Sequence, residues 1–205
     1  MNPLIRALAA AALLAGAAGC GMLNRSPVPE PITPIQKATA SPDNPDSAIL
    51  ADFKARLEKY VRVQRALLDK VPISENATPA QIRARQETLA AQLRMIRKDA
   101  KPGDILTPQV AALFRRLINP ELKGREGRDT KRALEEDDGT RAHVWLRVNA
   151  TWPESEPLTT MPPNILANLP QLPEDVEYLI TDERHLLLRD VDANIIVDFI
   201  YHAVR

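Results

Sequence analysis

The chain has 205 residues with 27 basic and 27 acidic side chains, so it lacks the basic excess that a nucleic-acid surface needs. Aromatic residues make up only 4% of it, too few for platforms that stack bases or sugars. A single cysteine, Cys20, leaves no internal disulfide to staple the fold.

From Leu8 to Cys20 runs an apolar stretch of Ala, Leu and Gly behind one basic residue, Arg6. It is too short to span a bilayer and has the layout of an export signal. The small residues Ala17, Ala18 and Gly19 directly before Cys20 resemble the lipobox of bacterial lipoproteins, with Ala17 where leucine is usual. Ala17 and Gly19 also satisfy the cleavage rule of ordinary secretory signals. The lipoprotein resemblance implies that residues 1–19 are removed and that the Cys20 thiol receives diacylglycerol, with a further acyl chain on the new amino terminus. Each buried methylene contributes about 0.8 kcal/mol and one chain anchors only marginally, so two or three chains hold durably. Gly21, standing where an Asp would signal inner-membrane retention, implies the outer membrane, with the protein facing the periplasm.

Six of the eighteen prolines lie between Arg25 and Asp46, in a stretch without apolar periodicity. Residues 20–46 therefore read as a Pro-rich tether, reaching about 80 Å at about 3.1 Å per residue. A helical hairpin is expected over 47–100. Leu50, Phe53, Leu57, Tyr60, Leu67 and Val71 form one helical stripe, with Gln64 in the missing slot, and Pro72 ends it. Thr78-Pro79-Ala80-Gln81 supplies a cap, a proline at the first helical position and a capping-box glutamine. The second helix would then bury Ile82, Leu89, Leu93 and Ile96, and the short link favours antiparallel neighbours.

Residues 101–205 are expected to form a small α+β domain. Thr107-Pro108 starts a third helix carrying Val110, Leu113, Phe114, Leu117 and Ile118, which Asn119-Pro120 stops. The acidic cluster Glu135–Asp138 reads as a solvated loop, since hard-cation sites need ligands converging from several positions. Val144, Leu146 and Val148 alternate as in a strand that joins or flanks the later ones. One turn of helix is expected around Asn164–Asn168. Val176, Tyr178 and Ile180, then Leu186–Leu188, then Ile195–Val204 read as three consecutive antiparallel strands. Asp190–Asn194 between the last two has turn composition. The fold class is thus α+β: a helical hairpin and a third helix, followed by an antiparallel sheet of three to four strands.

The segments Val148-Asn-Ala-Thr-Trp-Pro153, Leu158-Thr-Thr-Met-Pro-Pro163, Leu169-Pro-Gln-Leu-Pro-Glu174, Glu177-Tyr178 and Leu188–Asp198 resemble an uncharacterised family of exported bacterial proteins. The likeness runs from about Ala100 to the end and implies no activity. More loosely, Leu172 to Ile200 is similar in layout to the small periplasmic nickel/cobalt-homeostasis proteins.

No chemical constellation emerges from the remaining residues. Asp190, Asp192 and Asn194 mimic the start of an EF-hand loop, but Ile195 stands where its Gly is needed and Tyr201 where its bidentate Glu is needed. His185 and His202 are candidate metal ligands only if adjacent strands bring them together near Asp182 or Glu183. No Gly-x-Ser-x-Gly elbow exists, and Lys123–Arg128 matches no nucleotide fingerprint. No cofactor is called for. The expectation is a non-enzymatic interaction or scaffolding module, anchored through Cys20 and contacting an envelope protein or the cell wall. Trp152, Pro162 and Pro163 are its candidate contact residues; the equal alternative is that Trp152 plugs the sheet and Pro163 starts a helix. The alternative is a periplasmic small-ligand or metal-ion binding protein.

Overall fold

The computed structural model describes residues 44–124, 127–129, 132, 145–154, 161–181 and 183–204. The export signal, Cys20, the tether up to residue 43, the acidic cluster at 135–138 and Val144 lie outside the described residues.

Helix α1 (Pro45–Leu68) begins where the Asn44 side chain accepts the Asp46 N–H at 3.0 Å and Pro45 needs no partner for an N–H it lacks. Its buried face holds Phe53, Leu57, Tyr60, Gln64 and Leu67 of the expected stripe and adds Val61, while Leu50 is half-buried and Val71 lies past the helix end. Helix α2 (Pro79–Ile96) starts on the anticipated capping box: Thr78 accepts the Gln81 N–H, and the Gln81 side chain accepts the Thr78 N–H at 2.8 Å. Helix α3 (Pro108–Ile118) starts on a simple cap, the Thr107 side chain accepting the Val110 N–H with Pro108 at the first position, and continues into a tight 3-10 turn over Asn119–Leu122. A short helix, α4 (Pro163–Asn168), forms where one turn was expected.

The strands β1 (Val176–Ile180), β2 (Leu186–Asp190) and β3 (Ile195–Ile200) form an antiparallel sheet in the order β1-β2-β3. Val176, Tyr178 and Ile180, with Leu186, Leu188, Ile195 and Val197, share the main core with the helices. A line of rings crosses that core. Phe53 of α1 meets Phe114 of α3 edge-on at 5.3 Å, and Phe114 meets Tyr178 of β1 at 6.2 Å. Such pairs each add about 0.5–1.5 kcal/mol beyond their burial. The opposite face carries Leu179, Leu187, Ile196 and Phe199, packed with Val148 and Trp152.

Two expectations are corrected. Residues 145–148 are not a strand; Asn149 takes a positive φ of 65° and turns the chain, so that pairing starts beyond it. The Asn149 N–H donates to the Ile196 carbonyl, Ile196 to Ala150 and Trp152 to Asn194, giving β3 a short irregular neighbour. Next, Ile82 and Ile96 of α2 are 50% and 56% exposed. Only Leu89, Ala90 and Leu93 of that helix are buried, because α2 meets the core over its middle and its end turns overhang. The hairpin at 47–100 packs on the rest of the described fold, a point the sequence left open. Phe53, Leu57, Leu89 and Leu93 belong to the same core as Phe114 and the sheet, and Ala40–Arg205 forms one unit.

Polar contacts orient the hairpin on the sheet. Gln64 of α1 and Arg85 of α2 both reach Asp192, while Tyr60 of α1 lies under the Arg97 guanidinium just past α2. Positions thus rise along one helix as they fall along the other, so the pair is antiparallel.

Candidate functional site

Trp152 and Pro162, two of the three residues expected at a contact surface, are buried. Trp152 closes the second core cluster, and Asn194 donates from its side chain to the Trp152 carbonyl at 3.1 Å. Of the two readings of Trp152, core packing is the one the structure shows, and a contact surface at Pro162 is corrected, since its ring is buried as well. Pro163 alone is exposed, as the first residue of α4. Past it lies an open apolar groove of about 610 Å³ between the α4 segment and β1, lined by Met161, Leu166, Leu169, Leu172, Val176 and Tyr178. Leu166 is 48% exposed at its rim. The Tyr178 hydroxyl donates to the Pro170 carbonyl at 3.1 Å, which ties the two walls together, and burial raises its pKa far out of the working range.

His185 and His202 are brought together by the turn after β3, with ring centroids 4.7 Å apart and edge-to-face. Both nitrogens of His185 already have partners. Nδ1 accepts the His202 backbone N–H at 2.9 Å, so the neutral ring carries its hydrogen on Nε2, which lies 2.8 Å from Glu183 Oε2. A metal ion here must displace one of these bonds. Among the described residues, no group of three or more His, Cys, Asp or Glu side chains is placed to hold a metal ion. Residue 182 lies outside the described residues.

The strongest electrostatic feature is a seam between hairpin and sheet, which sequence patterns did not single out. Asp190 ends β2 with its carboxyl fully buried. One oxygen takes the Tyr60 hydroxyl and the other the Ala193 N–H at 2.7 Å. Desolvation raises the Asp190 pKa against the lowering effect of those bonds, and burial with the Asp190 charge raises Tyr60 well above 10.0.

Asp198 is also fully buried, and it takes four backbone N–H groups. Gly103 and Phe199 donate to Oδ1 at 2.9 and 2.8 Å; Ile105 and Leu106 donate to Oδ2, each at 2.8 Å. A register slip in β3 makes this possible. Leu188 pairs with Asp198 but Arg189 with Ile196, leaving Val197 as the extra residue of a bulge. The Val197 carbonyl then accepts from Arg97 Nη2 at 3.0 Å. Arg97 Nη1 donates to the Asn149 side chain at 2.8 Å, and its guanidinium lies 4.8 Å from the centre of the Tyr60 ring. Burial lowers the Arg97 pKa.

No family model, curated protein or solved structure matches the chain. Among the described residues, no helix is long and apolar enough to cross a membrane.

Proposed function

We propose that this protein is a lipid-anchored envelope protein, held at the outer membrane through acyl chains on Cys20, whose folded part is a non-enzymatic interaction module facing the periplasm. The observation that carries the reading is the apolar run that ends in Ala17-Ala18-Gly19-Cys20 behind Arg6. The Pro-rich stretch that follows suits a spacer between lipid and body. The groove between α4 and β1 supports the second half of the reading. It is apolar, it opens at the outer strand of the sheet, and Pro163 and Leu166 stand beside it. Such a trough suits an extended apolar segment of an envelope partner, because side chains fill the pockets while the strand edge offers backbone groups.

The test is mass analysis of the amino-terminal peptide after expression of the full chain in a Gram-negative bacterium. The expected result is a chain that begins at Cys20, carries diacylglycerol and an amide-linked acyl chain, and stays with the membranes. Cys20→Ser should abolish both the modification and the membrane retention. A free thiol on a protein that washes from the envelope overturns the anchor. For the module, crosslinking in intact cells should yield a defined neighbour with the native chain and lose it with Leu166→Glu; an unchanged neighbour set excludes the groove.

A further inference from the structure

We propose that the groove between α1 and the C-terminal end of α2 binds a small oxyanion, a carboxylate or a phosphate, on the Arg97 guanidinium with the Lys59 ammonium beside it. The groove has a volume of about 410 Å³, and its charged lining is Arg56, Lys59, Arg97 and one acid, Asp104. Arg56 is paired with Asp52 beside the groove, so Lys59 and Arg97 are the cations left to meet an anion. Neither anchoring through Cys20 nor the α4–β1 groove enters this argument.

Arg97 decides the chemistry. It is half-buried, and no carboxylate lies within ion-pair distance of it among the described residues. A guanidinium has five N–H donors. Two go to the Asn149 side chain and the Val197 carbonyl, both neutral, and one face of the group lies on the Tyr60 ring. Those contacts fix its plane and leave donors over. Charges withdrawn from water are ordinarily paired, because the lost hydration must be replaced.

The neighbouring acids do not supply the pair. Asp198 is saturated by four backbone N–H groups. Asp190 takes the Tyr60 hydroxyl and the Ala193 N–H. Asp104 has one oxygen engaged by the Lys101 N–H at 2.8 Å. Burial lowers the Arg97 pKa, while the charges of Asp198, Asp104 and Asp190 act in the opposite direction from beyond ion-pair distance.

The other two cations play unequal parts. Arg56 is tied to Asp52 and to the Asp104 carbonyl, so it lends field more than donors. Among the described residues Lys59 has neither a hydrogen bond nor an ion pair, and its long side chain can swing onto a ligand. Ile96, 56% exposed, lines the same groove, so the site also accepts a short hydrocarbon portion attached to the anion.

The experiment is a titration of the full chain in neutral detergent at constant ionic strength, following the Arg97 side-chain Nε–H resonance by NMR. Inorganic phosphate and butyrate are the two probes, with chloride as the control. The expected result is saturable binding of phosphate, butyrate or both, with a dissociation constant of about 1 mM or tighter. The probe that binds more tightly identifies the source of the oxyanion. Because Arg97 also holds Asn149, a second variant is needed, and Lys59→Gln breaks no hydrogen bond or ion pair among the described residues. Read through the Tyr60 ring resonances, Arg97→Gln should abolish binding, and Lys59→Gln should weaken it about tenfold with an unchanged unfolding midpoint. No saturable shift with either probe, equal binding of chloride, or unaltered affinity in Lys59→Gln overturns the proposal.

Discussion

Tyr60 and Asp190 lie 130 positions apart in the chain, and the Tyr60 hydroxyl donates to Asp190 Oδ2 at 2.5 Å inside the core. This bond joins the middle of α1 to the end of β2. Removing the hydroxyl leaves a buried carboxyl one partner short, which costs about 1–3 kcal/mol. Tyr60→Phe is therefore expected to lower the stability to urea by that amount with an unchanged slope. A loss within experimental error places no weight on the bond.

The same carboxyl makes stability depend on pH. Burial, the largest influence on Asp190, raises its folded pKa above the ordinary 3.8. For an acid shifted in this direction, the unfolded chain gives up its proton first. Its contribution is complete below pH 3.8 and is lost as the pH climbs through the folded value. Relative to Asp190→Asn, the native chain should gain stability on acidification and lose it as the pH rises through the weakly acidic range. Paired urea titrations between the two limits check the sign. A difference that grows with pH contradicts it.

What was legible in the sequence is what local physics encodes. Thr78-Pro79 and Thr107-Pro108 start α2 and α3 as capping rules require, and the stripe from Phe53 to Leu67 is buried as its spacing demands. Alternation located β1, and β2 and β3 lie where apolar runs stood. Asp190 and Asp198 were hidden because their partners come from far away: Tyr60 for the first, and the turn at 103–106 for the second. A carboxylate inside an otherwise apolar run such as Ile195–Ile200 was the one signal available, and the β3 bulge that re-aims it leaves no local trace. Arg97 carried no signal in the sequence because its partners, Asn149 and Val197, are at least fifty positions away.

Asp198 holds the turn between α2 and α3 onto the sheet. Replacing it by alanine strands the N–H groups of Gly103, Ile105 and Leu106 in or near the core. Each buried donor without a partner costs about 1–3 kcal/mol, so Asp198→Ala should cost at least about 3 kcal/mol in denaturant unfolding. Amide hydrogen exchange at Ile105 and Leu106 should rise with it. Protection that persists at both amides shows that the turn is held by something else.

Gly103 reaches that carboxylate from a φ of +88°, a conformation costly for other L-residues. A Cβ there meets nothing closer than the Leu106 carbonyl oxygen at 3.7 Å, so space is not the constraint. Gly103→Ala should cost only the backbone penalty of about 1–2 kcal/mol. Thermal unfolding measures it, and a loss well beyond that range points to displacement of the Asp198 contact as well.

Trp152 and Pro163 lie in neighbouring loops but should respond in opposite ways. Trp152 is 5% exposed and packs on Leu187, Ile196 and Phe199, so its removal opens a cavity against the sheet. Trp152→Ala should cost about 3–5 kcal/mol. Pro163 is exposed at the first position of α4, where its missing N–H has no partner to lose. Pro163→Ala should change stability by no more than about 0.5 kcal/mol. If the Trp152 variant unfolds like the native chain, the second cluster is not a core, and the ring is available to a partner after all.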